Sequence, residues 1–132
     1  MEVHVRSHNE ISIVDVSGEL DLYNAFRLRD TVTSLVDSGC PCFIVNLRAV
    51  RYIDSSGIGA LLAINSLLVK SKRQIRIVNI PQQVQRVIDL TRLTDFLPLL
   101  PTELDGIESI ESERHPKTVA ERHRTSRGAH GA

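Results

Sequence analysis

Val45-Asn46-Leu47-Arg48-Ala49-Val50-Arg51-Tyr52-Ile53-Asp54-Ser55-Ser56-Gly57-Ile58-Gly59 is the stretch on which the reading of this chain turns. Just before it, Cys42-Phe43-Ile44 runs into Val45-Asn46-Leu47 as a nearly unbroken apolar segment, the pattern of a strand covered on both faces. A short link follows. Asp54-Ser55-Ser56-Gly57 then opens a helix expected from about Ser56 to about Lys70, because Asp and Ser side chains accept hydrogen bonds from the free amides of a first helical turn.

The flanks repeat the alternation. Val3 and Val5 alternate with polar neighbours, Ser7-His8-Asn9-Glu10 turns, and Ile11-Ser12-Ile13-Val14-Asp15-Val16 answers as a second strand, predicting a hairpin that Gly18 ends. Asp21 or Asn24 then caps a helix with Ala25, Leu28, Val32, Leu35 and Val36 at helical spacing, stopped by Gly39. Beyond the central helix, Ile75 to Val78 reads as a short strand. Pro81 suits the first turn of a helix that buries Val84, Val87 and Ile88. Phe96 to Leu100 reads as a short edge strand, and Thr102 opens a last weak helix through Leu104, Ile107 and Ile110, with Gly106 lowering its stability. The expected fold is α/β: one domain over residues 1–110, a mixed sheet of four to five strands covered by about four helices.

Composition narrows the function. The 132 residues carry 16 Lys+Arg against 16 Asp+Glu, so no overall basic field points to nucleic acid or an anionic membrane. With Phe 3, Tyr 2 and Trp 0, few rings are available to stack bases. Cys40 and Cys42, separated only by Pro41, cannot staple distant parts of the chain and read as structural thiols. The longest apolar stretch, Gly57 to Val69, is broken by Asn65 and Ser66 and falls short of a bilayer span. With no signal peptide recognisable, the expected location is the cytoplasm. Residues 111–132 hold three of the five histidines, a net charge of +2 and Val119 as their only large aliphatic. They are expected to form a disordered basic tail, either a solvated appendage or a contact for an acidic partner.

The helix start at Asp54-Ser55 supports two readings. In one, the two residues only cap the helix. In the other, a serine carries a phosphoryl group, which gains the positive end of the helix dipole and sets close to two negative charges beside Asp54. The Gly-x-x-x-x-Gly-Lys-Ser/Thr phosphate loop and the Gly-x-Ser-x-Gly nucleophile elbow are both absent from this segment. No acid–base pair, activated nucleophile or metal cluster assembles from the sequence, and neither an enzyme activity nor a cofactor is expected.

Ser17-Gly18-Glu19-Leu20-Asp21, Val45-Asn46-Leu47, Ile53-Asp54-Ser55-Ser56-Gly57-Ile58-Gly59 and the later Val84 to Leu93 together resemble the STAS domain of bacterial anti-sigma-factor antagonists, over roughly residues 3–110. The resemblance implies partner switching. The unphosphorylated antagonist binds an anti-sigma factor that is also a serine kinase, and so frees a sigma factor; phosphorylation releases the complex, and a PP2C-like phosphatase resets it. It implies Ser55 as phosphoacceptor, Asp54 and Ser56 as its flanks, and Gly57 as the residue that lets the partner approach. It also implies Asp21 as an acidic loop position near the kinase and Asn46 as a polar position ending the central strand. On the second helix, Ala60, Ile64 and Leu67 widen the apolar arc, which is either plain burial or a docking strip for that partner. Two alternatives stay open. One is a non-switching STAS scaffold or transport-system subunit; the other is a small nucleotide-binding protein that holds phosphate at the Asp54 helix start.

Overall fold

A computed structural model describes residues 1–114. Strands β1 (Glu2–His8) and β2 (Ile11–Leu20) form the expected hairpin, and Asn9 at its turn takes a left-handed φ of 55°. Then follow α1 (Ala25–Asp37), β3 (Cys42–Ile53), α2 (Ser55–Lys70), β4 (Gln74–Val78) and α3 (Gln82–Leu90). A 3₁₀ turn at Thr94–Phe96, β5 (Leu99–Leu100) and α4 (Glu103–Arg114) complete the fold. The five strands lie in the order β1-β2-β3-β4-β5, with β1 antiparallel to β2 and every other neighbouring pair parallel. This is the mixed sheet and four-helix α/β fold that the pattern predicts.

Strand pleating sorts the core into two layers. Val14, Val16, Phe43, Val45, Ile75 and Ile77 face one side and pack with Leu28 and Val32 of α1, Leu61, Ile64 and Leu68 of α2, and Val84 and Ile88 of α3. Ile11, Ile13, Cys42, Ile44 and Val78 face the other side, where Ile110 of α4 closes a smaller cluster. Both faces of the middle strands are therefore dry, which is why Cys42 to Leu47 carries almost no polar residue. Side chains clasp α4 to the sheet along its length. Glu103 pairs with Arg6 of β1, Ser109 and Glu113 with Arg76 of β4, and Arg114 with Glu10.

The sequence reading needs correction in several places. Gly18 does not end β2: the strand continues to Leu20, and Gly18 takes φ 88° inside an irregular stretch. No short link follows Leu47, because β3 continues to Ile53 as β2's partner. Between Asp15 and Ser17, and again between Gly18 and Glu19, β3 spends one more residue than β2. These bulges twist the paired ends and bring Leu47, Val50 and Ile53, three residues apart, all into the core. Phe96 lies in the 3₁₀ turn, exposed, rather than in β5.

Gly106 is buried, and a Cβ there would fall 3.0 Å from Val78 Cγ1 and 3.2 Å from Ile44 Cδ1. Its lack of a side chain lets α4 lie close on the sheet. Helix α4 also reaches Arg114, four residues past the expected limit at 110; the rest of the predicted tail, 115–132, lies outside the described residues.

Candidate functional site

The ends of β2 and β3 lie side by side, with Leu20 paired to Ile53 and the Asp54 N–H donating to the Leu20 carbonyl at 3.3 Å. This pairing sets the start of α2 next to the loop that leads into α1. Asp54 is the N-cap of α2, with extended backbone (φ −117°, ψ −174°), and its two carboxylate oxygens go to different elements. Oδ1 accepts from the Gly57 N–H at 3.0 Å, satisfying one free donor of the first turn. Oδ2 accepts from the Leu22 N–H at 3.2 Å, across to the β2–α1 loop. Ser55 follows as the first residue of a 16-residue helix, exposed, while Ser56 is half-buried.

Asp21 shapes the same loop from within. Its Oδ1 accepts from the Tyr23 N–H at 3.0 Å, the Asn24 N–H at 3.2 Å and Asn24 Nδ2 at 3.0 Å, an Asx-type turn that leads into α1. Asn24, the N-cap of α1, makes no side-chain cap bond; its amide reaches back to the Glu19 carbonyl at 3.2 Å. Asp21 is thus brought to the same corner of the domain as Asp54 and Ser55, from which it is distant in the chain.

Three expected roles change. Gly57 is buried, and a Cβ built on it would lie 2.2 Å from the Leu20 carbonyl oxygen and 2.7 Å from Ile53 Cγ1. The close approach it permits is therefore to its own chain, not to a partner. Ala60 and Ile64 are 3% and 2% exposed within the main core, so they offer no docking strip; only Leu67, at 41%, reaches solvent. The cause is sheet packing: α2 turns the arc Ile58, Ala60, Leu61, Ile64 and Leu68 inward. Val69, which helical spacing puts on the Ile58 side, is exposed. The surface that α2 leaves open is Ser55, Gly59, Ala63 and Ser66, one turn after another. Its signal in the sequence is the run of small residues at spacings of four and three.

Asn46 lies away from this corner, on the α4 side of the sheet. Its Nδ2 donates to Asp15 Oδ1 at 2.9 Å, and its Oδ1 accepts from the Arg48 N–H at 3.0 Å and Asn79 Nδ2 at 3.1 Å. Arg6 grips Asp15 at 2.5 and 2.9 Å and Glu103 at 2.5 Å. Hydrogen bonding from Arg6, above all, holds the Asp15 carboxyl below the usual carboxylate range, and Arg6 in turn is raised by the same pair of acids. The network ties β1, β2, β3 and α4 together. Cys42 is buried and Cys40 half-buried, both free; burial pushes the Cys42 thiol up. Among the described residues no helix is long and apolar enough to cross a membrane.

Tyr23, which the sequence alone reads as a packing residue, is instead in solvent, as are Leu22 and Phe26, which sequence reasoning passed over. Phe26 falls off the Ala25–Leu28–Val32 stripe of α1, a signal that was available.

Known proteins share this fold. The family model described as STAS domain matches residues 2–106. The anti-sigma-B factor antagonist of Bacillus subtilis is 26% identical over 108 residues, which are 82% of this chain and 98% of that protein. The crystal structure of an anti-sigma factor antagonist from Mycobacterium paratuberculosis superposes with a TM-score of 0.75 at 30% identity, covering 83% of this chain and 93% of that one. The anti-sigma factor antagonist SpoIIAA in its unphosphorylated form matches at 0.69 and 20% identity (84% and 97% covered), and SpoIIAA in the phosphorylated form at 0.62 and 20% (83% and 99%). A match across nearly the whole sheet and all the elements around the Asp54–Ser55 helix start leads to one conclusion: the chain belongs to the STAS domain family.

Proposed function

We propose that this chain is an anti-sigma-factor antagonist that works by partner switching. In its unphosphorylated form it binds a cognate anti-sigma factor with serine kinase activity and so frees a sigma factor in the cytoplasm. Phosphorylation of Ser55 then ends the complex. In that step Ser55 Oγ forms a bond to the γ-phosphorus of the kinase's ATP, the bond from that phosphorus to the β–γ bridging oxygen breaks, ADP leaves, and the hydroxyl proton passes to the kinase. A PP2C-like phosphatase restores the serine with water and releases inorganic phosphate. The chain itself catalyses nothing, needs no cofactor, and contacts neither nucleic acid nor membrane.

The observation that carries this reading is the exposed Ser55 at the first position of α2, beside a carboxylate already committed to two backbone amides. Helix-start amides and the helix dipole stabilise a phosphate there. The same phosphate adds close to two negative charges at a surface built to meet a partner. The relatives named as anti-sigma factor antagonists, and SpoIIAA with its two phosphorylation forms, support it. Asp54, Ser56 and Asp21 shape the partner surface, Gly57 sets the helix against the sheet, and Leu67 is the one member of the expected apolar strip still available to a partner.

Paired pull-downs with the Ser55→Ala and Ser55→Asp forms test the proposal. An ATP-dependent kinase retained by the first bait and at least about tenfold weaker on the second, a loss of about 1.4 kcal/mol, is the expected result. Equal retention of the same proteins by both baits, or no kinase on either, would favour a STAS scaffold whose Ser55 merely starts a helix.

A further inference from the structure

Leu22, Tyr23 and Phe26 leave 66%, 80% and 47% of their surface to solvent within five residues of chain. The backbone of Leu22 and Tyr23 is held from two sides, while Phe26 sits in the first turn of α1. Asp21 Oδ1 accepts from the Tyr23 and Asn24 amides, and Asp54 Oδ2 accepts from the Leu22 amide. The other oxygen of Asp54 holds Gly57 in the first turn of α2. One carboxylate therefore joins the phosphoacceptor helix to an exposed apolar loop.

Ser55 is the next residue, its Cα about 3.8 Å from that of Asp54. A phosphoryl group on Ser55 brings like charge beside the carboxylate and offers competing oxygens to the same first-turn amides. Both effects draw the Asp54 side chain off its donors, and the Leu22 amide is the donor with nothing else to hold it in place. A kinase that reaches Ser55 also covers this loop. A standard footprint of about 800 Å² per partner is roughly 16 Å in radius, and the Leu22 amide is one hydrogen bond from residue 54. Exposed Tyr and Phe on a backbone held by hydrogen bonds suit the apolar centre of such a contact.

We propose that Asp54 couples Ser55 to the β2–α1 loop, so that phosphorylation repositions Leu22 and Tyr23, which with Phe26 in the first turn of α1 form the apolar anchor of the surface that the anti-sigma kinase grips. This deepens the partner-switching reading and rests on Ser55 being its phosphoacceptor. Asp54 acts here as a positioning residue.

The coupling is read on the isolated protein, without a partner. Phosphoserine is installed at position 55 by an expanded genetic code, and backbone amide exchange is followed by NMR in the parent and in Asp54→Ser. The serine hydroxyl keeps the cap on Gly57 but lacks a second acceptor for Leu22. In the parent, phosphoserine should speed exchange of the Leu22 amide about tenfold. In Asp54→Ser exchange is already fast, and phosphoserine should change it less than about twofold, the non-additivity that marks a shared interaction. Unchanged Leu22 exchange in the phosphorylated parent, or an equal response in both backgrounds, would overturn the coupling.

The docking half is tested by titrating the kinase captured with Ser55→Ala against the parent and the Tyr23→Ser/Phe26→Ser double variant, whose folding is checked by its melting curve. Binding at least about tenfold weaker is expected, and parental affinity would overturn it. A parent that binds no kinase refutes the partner-switching reading itself, an outcome seen before the variants are compared.

Discussion

Adding one methyl group at Gly57, and the same group two residues later at Gly59, separates the packing of α2 from its helix propensity. At Gly57 the new Cβ would lie 2.2 Å from the Leu20 carbonyl oxygen and 2.7 Å from Ile53 Cγ1. An ordinary contact needs more than 3 Å, so the start of α2 must move by about 1 Å from the paired ends of β2 and β3. Ala gains about 1 kcal/mol over Gly in a helix. Overpacking of this kind costs typically 1–3 kcal/mol, and the atoms that must yield first are backbone, which places the cost at about 3. The net for Gly57→Ala is therefore a loss of about 2 kcal/mol, or a melting temperature lower by about 8 °C for a domain of this size. At Gly59 nothing among the described residues lies within 4 Å of the added Cβ, and the site is exposed. Only the propensity gain remains, about 1 kcal/mol, or a rise of about 4 °C. Thermal denaturation of both variants by circular dichroism checks the pair. Equal shifts of either sign would refute the packing argument, because propensity alone treats the two glycines alike.

Two further outcomes follow from the corrected site. Ile64→Ala should lower stability by about 3 kcal/mol in urea unfolding, since Ile64 fills the core, whereas Leu67→Ala should stay within about 0.5 kcal/mol. A stable Ile64→Ala protein that loses only partner affinity would reinstate the docking strip. Asp15 has a folded pKa below its unfolded value, so its contribution is present above about pH 4 and disappears as pH falls through the folded value. Asp15→Asn should therefore cost about 1 kcal/mol near pH 6, with Arg6 half in solvent, and the gap to the parent should close as the pH falls through the folded value. A gap that is constant with pH would mean that the Arg6–Asp15 pair contributes nothing to folding.

What was legible in the sequence was legible through short-range physics. Apolar runs and helical spacing depend on neighbours within a few residues, and they placed all five strands and four helices in order. The Asp54-Ser55-Ser56-Gly57 helix start was equally local, since an N-cap acts on amides two and three positions ahead. Errors cluster where an element's end depends on a distant strand. β3 runs past Leu47 only because β2 continues beside it to Leu20, and Gly18 survives inside a strand only because the bulges there absorb its left-handed φ.

By itself, then, the sequence determined the α/β order of elements, the serine at the start of the central helix and the family resemblance they carry. Tertiary structure alone decided the rest, through contacts between residues thirty or more positions apart. It gave Gly57 to the Leu20 carbonyl and buried Ala60 and Ile64 against the sheet. It split the Asp54 carboxylate between two elements and left Leu22, Tyr23 and Phe26 in solvent. A helix pattern shows that a face is apolar; only the position of the sheet decides which part of that face is dry.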